Sequence, residues 1–287
     1  MRYGFVLPYG DAHTTADLAV VAEDHGWDGF FVWEGIWAID PWVSLAAAAV
    51  RTERIRLGTM LTPLPRRRPW ELAGQTSTLD NLSGGRVILS VGLGVAGEDR
   101  WWLFEDDPGR AARAQMLDEG LAMLERLWRE EPFEFEGRHF TSRLIDSLVP
   151  PAPPAPVQKP RIPTWVVGAW PFPKSMRRSA RWDGWIPHYQ PVDASADGQL
   201  TPEIFGEGAI WIREQRATEG LPMAGYDLIM EGATPADDPK AAAEQVRPWA
   251  QAGATWWLDA DWSSMDPARV REASERRLRA GPPRVDH

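Results

Sequence analysis

The sequence predicts a (β/α)8 barrel, an α/β fold, and three observations favour it. Short runs rich in β-branched and aromatic residues alternate with longer segments of helical period, which is typical of a parallel sheet. Eight such runs occur in 287 residues, and barrels of about 250 residues form as one unit. Caps and glycine stops separate these runs from the helical segments. We therefore predict one barrel domain over residues 1–287.

The predicted strands follow from the apolar runs, taken in chain order. They lie at residues 3–7, 29–33, 55–61, 86–91, 164–167, 184–187, 227–230 and 255–258. The sequence has 17 Trp and only 4 Tyr, and we interpret most of the tryptophans as core and subunit contacts, where aromatic residues are common.

The predicted helices have clear start and stop signals. A side-chain cap stands before a proline at four starts, and a proline is well tolerated in the first helical position. These pairs are Asp40-Pro41, Thr201-Pro202, Asp238-Pro239 and Asp266-Pro267, while Thr14 is predicted to cap the first helix. Helix ends are predicted at Gly26, Gly84 and Gly253.

The connection between the fourth and fifth strands is longer than the others, and we predict an insertion at about residues 95–163. Apolar residues at helical spacing predict an amphipathic helix over 111–129. The stretch FEFEGRHF after it indicates a small hairpin. The proline-rich PPAPPAPVQKPRIP favours an extended path, interpreted as a tether to the bottom of the barrel, with a lid or a signalling ligand as the alternative.

Composition favours a small-molecule partner. The 31 Lys and Arg against 41 Asp and Glu give a formal charge of −10, which opposes attraction to nucleic acid or anionic membrane. With no cysteine, disulfides and cysteine metal sites are excluded. The five scattered histidines lack metal-binding spacing, so no metal site is predicted. The N-terminal residues do not resemble a signal peptide, and we predict a cytoplasmic protein without a membrane span.

Two glycine pairs flank the fourth strand, and the polarity of a barrel separates them. Gly84 and Gly85 end a helix and precede the strand, so they are predicted at the stability face. Gly92 and Gly94 follow the strand, so they are predicted at the face where barrel enzymes bind ligands. We expect only the second pair to approach a ligand.

The order and spacing of several motifs resemble those of the bacterial luciferase-like superfamily of flavin- and deazaflavin-dependent oxidoreductases. The motifs are LGTMLTPLP at the third strand, LDNLSGGRVILSVGLG across the third helix and fourth strand, and WVVGAWP with RRSARWDGW around the fifth and sixth strands. The resemblance covers nearly the whole chain. It implies reduced FMN or coenzyme F-420 at the top of the barrel and a homodimer packed through barrel helices. It also implies a bulge in the third strand, commonly with a non-proline cis peptide, at Thr59, Met60 and Leu61.

Candidate cofactor-binding residues lie at the predicted strand tops. We expect Leu7, Trp33, Met60 and Leu61 to form a flat apolar slot, and Gly92, Leu93 and Gly94 to let the main chain approach the ring. For the phosphate, the resemblance points to Gly168, Ala169 and Trp170 and to the following helix with Lys174, Ser175 and Arg177. Arg178 is interpreted as a solvated helix residue. The run Arg66 to Arg68 is interpreted as a solvated face, with an electrostatic guide for an anionic tail as the alternative.

Acid-base candidates are few. They are Glu34 after the second strand, His188 after the sixth and His13 above the first. His25 and His139 are interpreted as structural. Relatives that oxidise sugar phosphates with the deazaflavin carry a histidine and a glutamate where this chain has Gly35 and Val95.

The leading hypothesis is therefore a reduced-FMN monooxygenase acting on a small organic substrate, with a flavin reductase left open as a partner. Trp37, Trp101, Trp102 and Phe104 are candidates to enclose that substrate. The alternatives are a coenzyme F-420-dependent oxidoreductase, a non-catalytic flavin-binding barrel, and a glycoside hydrolase with Glu34 and Asp259 as its carboxylates.

Overall fold

Eight parallel strands close into a barrel in the computed structural model, which describes residues 1–95, 102–129, 131–145, 153–193 and 198–285. In chain order the strands are β1 (Arg2–Leu7), β2 (Gly29–Val32), β3 (Arg56–Thr59), β4 (Thr62–Pro63), β5 (Val87–Gly92), β6 (Phe133–Glu136), β7 (Thr141–Ile145), β8 (Thr164–Trp170), β9 (Gly184–Tyr189), β10 (Asp227–Gly232) and β11 (Trp256–Asp259). Both β3 and β4 pair with β5, so they are two pieces of one interrupted strand. The pairing β3–β5 closes the ring β3-β2-β1-β11-β10-β9-β8-β5. The predicted barrel is confirmed.

Helices surround the barrel. They are α1 (Ala12–Asp24), α2 (Pro41–Ala49), α3 (Pro69–Ser83), α4 (Arg110–Arg129), α5 (Pro173–Ala180), α6 (Pro202–Thr218), α7 (Pro239–Gln251) and α8 (Pro267–Arg279). The four predicted cap-proline starts are confirmed, since Asp40, Thr201, Asp238 and Asp266 each accept a hydrogen bond from a backbone N–H in the first turn. The prediction for α1 is wrong: Asp11 caps the helix by accepting from the Thr14 N–H at 2.7 Å.

Aromatic side chains fill the barrel interior. Phe31, Trp165 and Trp256 are fully buried there, with ring centroids 5.4 Å apart for Phe31–Trp165 and 5.2 Å for Trp165–Trp256. Gly29 makes room for this packing, because a Cβ at that position would lie 2.7 Å from the Phe31 ring. This layer explains part of the high tryptophan content and closes the lower barrel, so a ligand can enter only from above.

The amino-terminal face is held by polar contacts from buried side chains. Gly84 ends α3 in the left-handed conformation with φ of 66°, as its predicted position requires. Arg86, 7% exposed, donates hydrogen bonds to four backbone carbonyls, those of Ala49, Thr52, Ile55 and Ser83. Gly84 and Gly85 therefore lie at the stability face, as predicted.

The connection between β5 and β8 contains α4 and the β6–β7 hairpin. Glu119 on α4 accepts backbone N–H bonds from Arg138, His139 and Phe140 in the hairpin turn. Beyond the hairpin, Gln158 donates to Asp80 and to the Val87 carbonyl. The described part of the proline-rich segment thus lies under the barrel, as expected for a tether. Within the described residues, no helix is long and apolar enough to cross a membrane.

Candidate active site

The alternation of side chains along the strands determines which residues face the barrel mouth. Val6, Ile88, Val167, Ile229 and Leu258 belong to the interior cluster or pack against it. Because side chains two residues apart in a strand share a face, Ser90, Ala169 and Glu231 face the interior at higher levels. Met60 and Ala260 also belong to this cluster. This upper layer, at the carboxyl ends of the strands, is the candidate active site.

The interruption of the third strand lies at the predicted position. The Met60–Leu61 peptide bond is cis, and the Met60 N–H donates to the Val32 carbonyl at 2.8 Å. The Leu61 side chain approaches Gly92, where a Cβ would lie 3.1 Å from it and 3.2 Å from Val167. The absence of a side chain at Gly92 thus accommodates Leu61 beside the mouth.

A polar network joins the interrupted strand to the end of β2. The buried Glu34 carboxylate accepts from Arg67 Nε at 2.6 Å and from the Thr62 hydroxyl at 2.9 Å. The Thr62 and Thr59 hydroxyls are 3.0 Å apart. Both carboxylate oxygens of Glu34 are occupied, so the geometry supports a positioning role for this residue.

Interpretation of the arginine run as a solvated face is wrong for Arg67, whose side chain is only 21% exposed and paired with Glu34. A charge run in sequence does not show which of its members a buried carboxylate will hold. Arg68 is exposed and lies 5.5 Å from the Trp70 ring centroid, as a solvated residue does.

Arg113 is a site residue that sequence reasoning missed. Its side chain is almost fully buried and pairs with Asp107, and its Nη1 donates to the Gly94 carbonyl at 3.0 Å. Gly94 has φ of 75°, and Leu93 packs against the outer core. The arginine thus fixes the loop after β5. No motif in α4 indicates this contact.

The residues predicted to bind the phosphate lie at the end of β8 and in the first turns of α5. A Cβ at Gly168 would lie 2.5 Å from Ser179 Oγ, so this position faces the helix layer. The Ala169 N–H donates to Ser175 Oγ at 2.9 Å. Trp170 lies beside the Trp211 ring. The Ala169 N–H, a predicted donor to the phosphate, therefore already has an acceptor within the protein.

The cations of α5 face outward. Lys174 and Arg177 are exposed and line a cleft of about 550 Å³ between α4 and α5, together with Arg161. The interpretation of Arg178 as solvated is wrong, because its side chain is 7% exposed and paired with Asp118 on α4. One turn of a short helix thus contains both exposed and buried arginines.

Two further predicted residues lie away from the slot. Leu7 belongs to the outer core between strands and helices, one position out of phase with the inward Val6. Thr59 is fully buried beside Glu34 and Thr62. Because β1 is apolar on both faces, its sequence could not show which residue points inward.

The histidine candidates differ in position. His13 is exposed in the first turn of α1, whereas His188 follows the inward-facing Ile186 on β9 and is open to solvent at the mouth. Surrounding protein, and to a lesser degree Arg110, lowers the pKa of His188, which favours its neutral form. His25 bonds the Val21 carbonyl and His139 bonds Gln115, both structural contacts.

An aromatic wall borders the mouth. The Trp33 ring meets Tyr9 edge-on at 5.4 Å and Trp262 at 6.0 Å. Gly35 lies under this wall, since a Cβ there would be 2.6 Å from the Trp33 ring. A histidine at this position would require Trp33 to move.

Of the predicted substrate-enclosing residues, Trp37 is 91% exposed beside Phe104. Trp102 is buried against Arg113, and Trp101 lies outside the described residues.

Glu231 is a second residue that sequence reasoning missed. It follows Ile229 on the inner face of β10 and accepts a hydrogen bond from Trp262 Nε1 at 2.7 Å. Burial raises the pKa of Glu231, and the bond from Trp262 opposes this only in part. The signal in the sequence was the alternation of side chains along β10, which places the Glu231 carboxyl on the inner face at the mouth.

These features define a barrel enzyme with a binding site at the carboxyl ends of its strands, bordered by an interrupted third strand. A family model described as luciferase-like monooxygenase matches residues 2–285. The chain belongs to this family and is a luciferase-like oxidoreductase.

Named relatives and solved structures are similar to the chain over most of its length. A putative coenzyme F-420-dependent oxidoreductase of Mycobacterium tuberculosis is 30% identical over 267 residues, covering 87% of this chain and 71% of the relative. The coenzyme F-420-dependent tetrahydromethanopterin reductase of Methanopyrus kandleri matches with TM-score 0.74 and 17% identity, covering 98% of each chain.

The oxygenating constituent of 3,6-diketocamphane monooxygenase of Pseudomonas putida, in complex with FMN, matches with TM-score 0.72 and 17% identity. This match covers 100% of this chain and 99% of the other. At such identities the two structural matches show the fold alone.

Proposed function

We propose that this protein is an oxidoreductase that binds a flavin-type ring at the barrel mouth and acts on a small organic substrate. The observation that carries the proposal is the interrupted third strand, with Met60 and Leu61 facing the mouth and Glu34 holding the interruption in place. The buried contacts make this a rigid border, which a flat ligand requires.

The residues at the mouth fit such a ring. Met60 and Leu61 provide an apolar border, and Trp33 closes the other side with its aromatic neighbours. The Ser90 hydroxyl is buried, faces the interior and has no hydrogen-bond partner among the described residues. A buried hydroxyl without a partner is costly, so a polar group of a bound ligand would relieve it. When bound, the cofactor supplies two-electron chemistry, while this chain positions the substrate and limits the access of water.

Coenzyme F-420 is the first candidate cofactor. A relative named for it is 30% identical over most of the chain, while the solved structures named for F-420 and for FMN are equally similar to this chain at 17% identity. Lys174 and Arg177, exposed on the outer side of α5, would attract a cofactor tail that carries more than one negative charge.

Reduced FMN, with a monooxygenase reaction, is the second candidate. Relatives that transfer hydride to sugar phosphates carry a histidine where this chain has Gly35 and a glutamate where it has Val95. The absence of side chains for acid-base catalysis at these two positions favours this candidate, and Gly35 is packed under Trp33. A reaction of reduced FMN with oxygen requires fewer acidic and basic groups from the protein, because the cofactor performs the difficult step.

Equilibrium titration of the purified protein with each cofactor, oxidised and reduced, tests both candidates. Quenching of F-420 fluorescence by the protein at micromolar concentration, with FMN binding at least tenfold more weakly, supports the first candidate. The reverse order supports the second. Binding of neither cofactor at millimolar concentration would refute the proposal. Binding without consumption of reduced cofactor in the presence of small ketones, aldehydes or alcohols would favour a non-catalytic flavin-binding barrel.

We further propose a homodimer. Four large apolar side chains of α2, its C-cap and the neighbouring α3 are between 44% and 67% exposed: Val43, Val50, Trp70 and Leu82. Large apolar side chains on adjacent helices are suited to a subunit interface. Sedimentation velocity is expected to give twice the 32.2 kDa chain mass, and V43E, compared with R54E on an exposed loop, is expected to shift the protein to monomer. A wild-type monomer at micromolar concentration would contradict this.

A further inference from the structure

Glu231 is a carboxyl that the barrel brings to the mouth, where it pairs with no cation among residues 1–95, 102–129, 131–145, 153–193 and 198–285. In the parallel register, Glu231 lies beside Leu258 and Ile229 lies beside Trp256. Leu258, Ile229 and Trp256 all belong to the interior cluster. Since paired residues of parallel strands share a face, the Glu231 side chain also faces the interior, one level above Ile229.

Glu231 is partly buried at the mouth, and its contacts among the described residues include no positive charge. Its Oε1 accepts from Trp262 Nε1 at 2.7 Å. Among the described residues, Oε2 has no hydrogen-bond partner and no cation forms an ion pair with this side chain. Burying an ionised carboxylate without a cation is costly, so such a group tends to keep its proton.

Asp259 on the neighbouring strand shows the opposite arrangement. It faces the helix layer, where Arg277 Nε lies 3.1 Å from Oδ2 and Thr234 also bonds the carboxylate. The fold thus provides a counterion for the buried carboxyl in the helix layer, whereas the part of the chain that the structure describes provides none for Glu231 at the mouth. Next to Glu231, the described neighbours are the apolar Leu258 on β11 and Ala260 just after it, and the titratable side chain on the inner face of β9 is His188, whereas Tyr189 lies on the other face.

The surroundings also indicate the kind of molecule that would lie against this acid. Trp262, which bonds Glu231, packs edge-on against Trp33, and Trp33 packs against Tyr9. An aromatic wall with one polar donor suits a molecule with an apolar body and one oxygen atom.

We propose that Glu231 acts as a neutral carboxylic acid that donates a hydrogen bond from Oε2 to the carbonyl or hydroxyl oxygen of an uncharged substrate lying against Trp33 and Trp262. The site thereby selects neutral oxygen-containing molecules over ammonium compounds. This inference rests on the proposed function, because it places the substrate at the same mouth. Trp262 is a positioning residue, since it holds Oε1 and leaves Oε2 for the substrate.

The first experiment measures the protonation of Glu231 directly. An infrared difference spectrum of wild type minus E231Q at pH 7 is expected to show the carbonyl stretch of a protonated carboxyl that shifts in D2O. The matched control is wild type minus E244Q, which removes an exposed carboxylate of α7 and is expected to show only ionised bands. Ionised bands alone in the E231Q difference would overturn the proposal.

The second experiment measures ligand preference, using intrinsic tryptophan fluorescence with cyclohexanone and cyclohexylammonium as probes. Wild type is expected to bind cyclohexanone more tightly. E231Q keeps a donor and is expected to bind cyclohexanone within about threefold of wild type, whereas E231L is expected to bind it about fivefold more weakly, as for one neutral hydrogen bond. Tighter binding of cyclohexylammonium by wild type, lost in E231Q, would show an ionised Glu231 and overturn the proposal.

Cofactor titration of the same variants separates this inference from the proposed function. E231Q is expected to bind the preferred cofactor as wild type does. If the protonated-carboxyl band is present but neither FMN nor F-420 binds, the proposed function fails while the state of Glu231 stands. Circular dichroism and thermal unfolding identify a variant that fails to fold, and E231Q, the conservative change, then decides the outcome.

Discussion

The Glu34 carboxylate accepts a hydrogen bond from Arg67 Nε at 2.6 Å, across 33 residues of sequence. This pair, with Thr62, joins the end of β2 to the interrupted third strand. The strand interruption is therefore supported by a largely buried ion pair. Its partners are hydrogen-bonded to each other, and this is the arrangement in which the attraction offsets the cost of desolvating the charges.

Substitution E34Q is expected to weaken the border of the cofactor site. The amide keeps the shape but loses the charge that holds Arg67, at a cost of about 1–3 kcal/mol in the free energy of unfolding. Affinity for the cofactor is expected to fall about tenfold, the factor for one charge-assisted hydrogen bond. Chemical denaturation and cofactor titration measure the two effects. R68Q, at an exposed neighbouring position, is the control. Unchanged affinity in E34Q would mean that the network does not support the site.

Removal of the Arg86 guanidinium is expected to destabilise the fold without changing the mouth. R86M leaves four buried carbonyls without their donor, which is expected to cost about 2–4 kcal/mol. R86K keeps the positive charge but loses the planar guanidinium with its several N–H donors, so it is expected to recover only part of the lost stability. R54Q, an exposed arginine, serves as control in denaturant unfolding. A change in R86M no larger than in R54Q would contradict the assigned role.

Acid is expected to release the β6–β7 hairpin from α4 through Glu119. Burial acts to raise the pKa of Glu119, but the N–H bonds from His139, Phe140 and Arg138 together outweigh it and hold the pKa below its usual value. A carboxyl with a lowered folded-state pKa contributes stability that is present above the unfolded pKa and lost as pH falls through the folded one.

The difference in unfolding free energy between wild type and E119Q is therefore expected to be largest near neutral pH and to shrink as pH falls below about 4.5. Urea unfolding at several pH values measures it, with E244Q as the exposed control. A constant difference over that range would show that Glu119 does not titrate with unfolding.

Addition of one methyl group at Gly35 is expected to disturb the aromatic wall. A Cβ there would lie 2.6 Å from the Trp33 ring and 2.9 Å from a second atom of it, closer than van der Waals contact permits. G35A is therefore expected to change tryptophan fluorescence and weaken cofactor binding. The matched control is G74A in α3, where a Cβ meets nothing within 4 Å and where alanine is expected to stabilise by about 0.4–1 kcal/mol. Identical spectra for G35A and wild type would show that Trp33 moves freely.

Several parts of the site were predictable because their signals are local. The apolar runs, the cap-proline pairs and Gly84 depend on neighbouring residues, so strands and helix limits could be assigned within a few positions. The Met60–Leu61 interruption was expected from a family resemblance and confirmed in place. Glu34 was expected at the mouth, but its partner Arg67 was interpreted as solvated.

Other parts depend on contacts between distant segments. Arg113 on α4 donates to the Gly94 carbonyl, and Glu231 on β10 accepts a hydrogen bond from Trp262 in the loop after β11. Leu7 and Val6 are both apolar, so only closure of the barrel decides which one faces inward. Lys174 and Arg177 lie on the outer side of α5 because Met176 and Ser179 occupy its inner side.

The sequence by itself determined the direction of the chain around the barrel, the start of four helices, and the end of each barrel strand at which a ligand could bind. The tertiary structure decided which charges are paired, which side chains face the mouth, and which inward-facing carboxyl pairs with no cation in the described part of the chain. The physical reason is the distance along the chain over which each kind of interaction acts. Capping and periodicity act over one or two turns, whereas burial and ion pairing are set only when strands far apart in sequence come together.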